Sequence, residues 1–119
     1  MEGQMRVLRI DHVQLAMPPG GEARARWFYG EVLGMTELPK PEAMRARGGL
    51  SFDGGIHLGL EDGMRPSAKV HAALVVEDIE AVRHALAAAG CEWHEAEDLP
   101  GVRRGHTRDP FGNRIEIMM

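Results

Sequence analysis

Four residues with metal-ligating side chains stand at repeated intervals. His12 and His57 lie 45 positions apart, as do His71 and Glu116, and each member of the first pair precedes its counterpart in the second by 59. Imidazole nitrogen and carboxylate oxygen are good donors for divalent first-row metals, and nickel, zinc, cobalt, manganese and iron all tolerate them. Two histidines and a carboxylate around an ion with an open coordination position suit Lewis-acid or oxygen-handling chemistry. A single histidine on a strand is more often a satisfied polar residue than a ligand, and six histidines in the chain make some coincidence easy. The repetition of one interval in both halves is what singles out these four.

The elements that must carry them follow from periodicity. Ile10 to Met17 alternates as a strand does, with Val13, Leu15 and Met17 on one face and Ile10, His12, Gln14 and Ala16 on the other. Pro18 to Gly21 break the pattern, and a helix is predicted from about Glu22 to Leu33, stopped by Gly34. Short extended pieces come next, at Met35 to Leu38, Gly48 to Phe52 and Ile56 to Leu60, the last two joined by an Asp53-Gly54-Gly55 turn. After a linker from Glu61 to Ser67, the order repeats. Val70 to Val76 is a strand carrying His71, and Asp78 can cap a helix whose apolar stripe is Ile79, Val82, Leu86 and Ala89. Glu92 to Glu95 is a weak strand, and Arg103 to Arg108 with Arg114 to Met118 form a closing hairpin. The class is α+β: one domain, residues 1–119, of two βαβββ modules at about 9–61 and 68–119. His71 is opposed by Ala72, Leu74 and Val76, and Glu116 by Ile115 and Ile117. If the apolar faces pack on the helices, the candidate ligands line the other side.

Composition narrows the class of function. A chain of 119 residues fits one domain of modest core, to which a partner subunit would add stability. Its net charge of −4 and pI of about 5.8 argue against a nucleic-acid partner, which calls for a basic face. Cys91 is the one cysteine, so no internal disulfide can form. Nothing near the first residues reads as a signal peptide, and no window approaches the roughly 20 apolar residues of a membrane span. The expectation is a cytoplasmic protein with neither a nucleic-acid nor a membrane partner. Neither a Gly-rich phosphate loop nor a nucleophile elbow is present.

The stretches Ile10-Asp11-His12-Val13, Phe28-Tyr29 through Leu33-Gly34-Met35, and Asp109-Pro110-Phe111-Gly112-Asn113-Arg114-Ile115-Glu116 resemble signatures of the vicinal-oxygen-chelate superfamily, which holds glyoxalases, bleomycin-resistance proteins and extradiol dioxygenases. The resemblance runs from about Arg9 to Met118, and the closing turn and glutamate strand are its most specific part. It implies a cupped, mostly antiparallel mixed sheet with helices on its outer face. It implies metal ligands on the first, fifth and eighth strands, and often the fourth, seats held here by His12, His71, Glu116 and His57. His12, His71 and Glu116 match the two-histidine, one-glutamate set of fosfomycin-resistance enzymes. Bacterial glyoxalase I carries a glutamate in the seat of His57, so this chain departs from that pattern. The resemblance also turns Arg104 and His106 inward. His106 could exchange protons near neutral pH, and Arg104 could hold a carboxylate or phosphonate. Arg103, Arg108 and Arg114 complete a basic cluster that hints at an anionic ligand.

The leading expectation is a glyoxalase-like metal-dependent lyase, isomerase or transferase that chelates a small oxygenated substrate. His12, His71 and Glu116 would be its ligands and His57 a fourth ligand or proton shuttle. One alternative is a ring-cleaving extradiol dioxygenase with ferrous iron. Another is a metal-free protein that sequesters a drug-like molecule, as bleomycin-resistance proteins do. A homodimer is expected, because a chain this small buries too little to close two curved half-sheets alone.

Overall fold

The computed structural model describes residue 3 and residues 5–119. Seven strands and two principal helices fall in the order the periodicity requires. Strand β1 (Val13–Met17) leads to α1 (Glu22–Ala25), which continues without a break as a π-helical segment, Arg26–Val32. A 3-10 helix, Glu42–Arg47, precedes β2 (Leu50–Phe52) and β3 (Ile56–Leu60). The second half holds β4 (His71–Val75), α2 (Ile79–Ala88), β5 (His94–Ala96), β6 (Arg104–Arg108) and β7 (Arg114–Met118).

Each half makes its own sheet. The first has the order β1-β3-β2 and the second β4-β7-β6-β5. In both, the first strand runs parallel to the last, and the remaining pairings are antiparallel. Only Glu37 of the predicted Met35–Leu38 strand pairs with the first sheet, through a bridge to Phe52. Pro39 and Pro41 bound that segment, and proline cannot donate to a ladder. The Pro-bounded stretch after it, expected as loop, winds instead into the 3-10 helix. The first strand begins three residues later than its alternation suggests, at Val13, whose N–H donates to Gly55 O at 2.8 Å.

The helix of the first half takes the wider π-helical form over Arg26–Val32. Phe28 and Tyr29 are fully buried. The i→i−5 bond from Leu33 N–H to Phe28 O, 3.0 Å, marks the wider turn that accommodates both. Helix α2 is regular, and the Asp78 carboxylate caps it by accepting from Ala81 N–H at 3.1 Å. Leu15, Met17, Phe28, Tyr29, Phe52 and Leu58 of the first half and Ile79, Leu86, Ile115 and Ile117 of the second form one hydrophobic core.

The Asp109–Asn113 turn ties the halves together. The Asp109 carboxylate, 5% exposed, accepts from the N–H groups of Phe111 (2.9 Å) and Asn113 (2.8 Å), from Asn113 Nδ2 (2.9 Å) and from Tyr29 Oη (2.6 Å). Asn113 Nδ2 also donates to Ala16 O at 2.8 Å. The motif thus bonds to the first strand and to the first helix at once. Its tight reversal needs the left-handed conformation that Gly112 adopts at φ 89°. Strands β1 and β4 each remain an open edge of their sheets.

Candidate metal centre

The strand register explains why the interval of 45 recurs. In the first sheet Gln14 lies opposite His57, and His12 stands two residues before Gln14. In the second, Ala73 lies opposite Glu116, and His71 stands two residues before Ala73. Each pair is therefore a diagonal neighbour pair across parallel strands, on the face turned away from the helices. Residues so placed are within reach of one another when the side chains are long.

They do meet. The rings of His12 and His57 stack with centroids 4.1 Å apart and planes 14° from parallel. His71 Nε2 lies 3.1 Å from Glu116 Oε1. The two pairs do not join, however: among the described residues no three His, Cys, Asp or Glu side chains gather as a group able to hold an ion. A groove of about 520 Å³ between the halves is lined by apolar residues such as Leu33, Met35, Leu74 and Val82, and by none of the four candidates.

The donor chemistry nevertheless fits a metal. His12 Nδ1–H donates to Asp11 Oδ2 at 2.9 Å. That hydrogen bond, with a second from Arg9, holds the Asp11 carboxyl below the ordinary range, so it is an acceptor only. His71 Nδ1–H donates to Lys69 O at 2.7 Å, and a carbonyl can only accept. Both rings therefore carry their proton on Nδ1 and, when neutral, the lone pair on Nε2. This tautomer control by an oxygen acceptor is the habit of metal-bound imidazoles. A neutral His71 would turn its Nε2 lone pair on the Glu116 carboxylate, a repulsive contact. The pair is stable if His71 is an imidazolium or if a cation sits between nitrogen and oxygen. Burial pushes the His57 imidazole below its ordinary pKa, the neighbouring His12 pushes the same way, and Asp11 partly opposes them. A neutral ring keeps a lone pair to offer.

Arg104 and His106 share the face of Glu116, because His106 lies opposite Glu116 in the β6–β7 register and Arg104 is two residues away. Arg104 Nη1 donates to Glu116 Oε1 at 3.3 Å, and its Nη2 pairs with Asp98. Arg104 thus orients the candidate ligand. His94, opposite His106 on β5, stacks on it with centroids 4.9 Å apart and donates through Nε2–H to Glu92 Oε2 at 2.6 Å. Burial lowers the His106 pKa, followed by the charges of Arg114, His94 and Arg108. Arg103 of the basic cluster takes no part, for it pairs with Glu80 and with Glu95 at 2.8 Å on the other face. Trp93 also belongs there, packed on the core with Nε1–H donating to Glu95 Oε2 at 2.6 Å.

Sequence patterns pointed to the four ligand candidates and to Arg104 and His106, but not to the partners that set them. Asp11 carried a signal, as a carboxylate adjacent to a candidate ligand. The Lys69 carbonyl is backbone and carries none.

Comparison with known proteins agrees with this architecture. The pattern of the Glyoxalase/Bleomycin resistance protein/Dioxygenase superfamily matches residues 9–117, and the chain belongs to that superfamily. A Bacillus anthracis protein placed in the glyoxalase family is 42% identical, covers 97% of each chain and superposes with a TM-score of 0.90. The fosfomycin resistance protein FosX from Listeria monocytogenes shares the fold at 15% identity and a TM-score of 0.75, over 95% of this chain and 93% of its own. TnmS3, an antibiotic binding protein from Streptomyces sp. CB03234, does so at 23% and 0.67, over 97% of each chain. No curated protein matches the chain.

Proposed function

We propose that this protein is a metal-dependent enzyme, a lyase, isomerase or transferase, that chelates a small oxygenated substrate on a divalent ion. His12, His71 and Glu116 would hold the ion, and His57 would be a fourth ligand or carry a proton. The observation that supports this most is the orientation of both histidines, each with Nδ1 committed to an oxygen, and with Nε2 of His71 aimed at a buried carboxylate. A bound ion would supply Lewis-acid polarisation of a substrate oxygen. The chain's own contribution would be to orient the ligands through Asp11, the Lys69 carbonyl and Arg104. His106, held neutral by its surroundings, would accept a proton from substrate at its imidazole nitrogen.

The separation of the two pairs supports a homodimer in which each site is shared. The first module (about 9–61) of one chain would bring His12 and His57, and the second module (about 68–119) of its partner His71 and Glu116, in a single domain per chain. The open edges at β1 and β4 favour this, as do the exposed apolar side chains Ile10 (77%), Val70 (74%) and Val75 (77%) beside them. No described helix is long and apolar enough to cross a membrane. With one free cysteine, Cys91, the chain suits the reducing cytoplasm.

The rival reading is a metal-free cup that sequesters an organic molecule. It would explain the His71–Glu116 contact as an imidazolium–carboxylate pair. Elemental analysis of protein purified without tag or chelator, then reconstituted with several divalent ions, separates the two. The proposal expects bound metal near one ion per chain, and metal-free protein under every condition would refute it. Ring cleavage of a catechol after anaerobic loading with ferrous iron would instead favour a dioxygenase.

A further inference from the structure

Among the described residues, two arginines on the same face as Glu116 have no carboxylate partner. Arg114 and Arg108 lie directly opposite each other in the β6–β7 register, and Arg114 faces His71 across β4. Among the described residues neither forms an ion pair, whereas Arg103 and Arg104 of the same cluster each pair with two carboxylates. Arg108 spends its guanidinium on carbonyls. Its Nη1 donates to Ser67 O (3.2 Å) and Gly112 O (3.0 Å), and its Nη2 to Ala68 O (3.3 Å). Those bonds fix the group but leave its charge uncompensated. Arg114 is half-buried, and its Nε is buried without a hydrogen-bond partner. Like charges directly opposite on a sheet repel, and an orphaned buried donor is costly. An anion accepting from the Arg114 guanidinium beside Arg108 would offset the repulsion between the two charges.

We propose that Arg114, backed by Arg108 and His106, is a receptor for an anionic oxygen group of the substrate, a carboxylate or a phosphonate or phosphate. Guanidinium is the side chain whose planar fork matches either group with two parallel hydrogen bonds. The seat is one strand step, two residues, from Glu116. A substrate held there by its anionic end would present neighbouring oxygens to the ligand cluster. The inference rests on the proposed function for that last consequence only; the anion site itself needs no metal.

The test uses the full chain after chelator treatment, with inorganic phosphate and acetate as separate probes. The side-chain Nε–H resonance of Arg114 is followed by NMR, assigned with Arg114→Lys, and binding is measured in parallel on Arg114→Gln. The expected result is a saturable shift of that resonance with at least one probe, and binding weakened about tenfold or more in Arg114→Gln. Arg65→Gln, in the exposed linker, should bind as the wild type does. Response to phosphate alone identifies a phosphoryl or phosphonate end, and response to acetate alone a carboxylate. A resonance that moves with neither anion overturns the proposal, as does equal binding by Arg114→Gln. The first readout needs no loss-of-charge variant to fold. Metal uptake is scored on separate wild-type samples, so failure of the metal reading with intact anion binding, or the converse, is distinguishable.

Discussion

Glu116 Oε1 accepts from Arg104 and faces His71, so a carboxylate 12% exposed is held in one orientation by the chain's own side chains. The same economy operates at His12, where Asp11 fixes the ring from a fully exposed position. Asp11→Ala should therefore leave the fold untouched while weakening metal affinity about 10- to 100-fold, the usual consequence of deleting the oxygen that orients a ligating imidazole. Calorimetric titration with a divalent ion, beside unchanged thermal unfolding of the metal-free protein, checks this. His71→Ala and Glu116→Ala should go further and strip the metal altogether with the fold retained, read by elemental analysis and circular dichroism. At this scale the sequence was legible where a periodic rule applied. The spacing of His12, His57, His71 and Glu116 exposes them, because strand alternation and register repeat in both halves. The partner of His71 was not legible, since a backbone carbonyl has no residue type. Nor was the split of the basic cluster into Arg103 on one face and Arg108 and Arg114 on the other certain until the strand bounds were known.

Among the elements, the π-helical turn and the sheet of the second half show how packing overrides pattern. Phe28 and Tyr29 are both fully buried where the helix predicted over Glu22 to Leu33 turns π-helical. The extended piece at Met35 to Leu38 pairs through a single bridge, because Pro39 and Pro41 follow it and proline cannot donate to a ladder. Tyr29 pays off this placement through its 2.6 Å bond to Asp109. Burial, then the Asp109 charge and that hydrogen bond, raise the Tyr29 pKa far above its ordinary value. A group whose folded pKa is raised stabilises fully below its unfolded pKa, near 10 for tyrosine, and loses that contribution as pH climbs above it. Tyr29→Phe should therefore cost about 1–3 kcal/mol at neutral pH by leaving a buried carboxylate short of a donor. The gap to wild type should narrow in urea unfolding above about pH 10. Gly105 supplies a second test. A Cβ there would lie 2.3 Å from Trp93 Cζ2 and 2.8 Å from His94 O, so Gly105→Ala should destabilise by about 1–3 kcal/mol through overpacking. Chemical denaturation measures it, and unchanged stability would show that the Trp93 ring moves freely.

For the whole molecule, the decisive feature is that one chain holds two pairs of candidate ligands, which among the described residues do not come together. The modules are linked through Asp109, Asn113, Tyr29 and Ala16, yet their sheets stay separate and their first strands stay unpaired at the edge. The two-module architecture was readable from the chain because its elements recur in order; the relative placement of the modules was not, for it depends on contacts without period. The proposed metal site would draw on both chains of a dimer, and mixing of subunits probes that sharing. His12→Ala and His71→Ala chains are prepared separately, each metal-free, then exchanged, with heterodimer formation verified by mass spectrometry. One cup of the heterodimer would carry both lesions and the other none. The measurement is the metal content of the isolated heterodimer after reconstitution. The account expects one ion per heterodimer and none in either parent; a heterodimer that forms and binds no metal, in a protein whose wild type does, would contradict it.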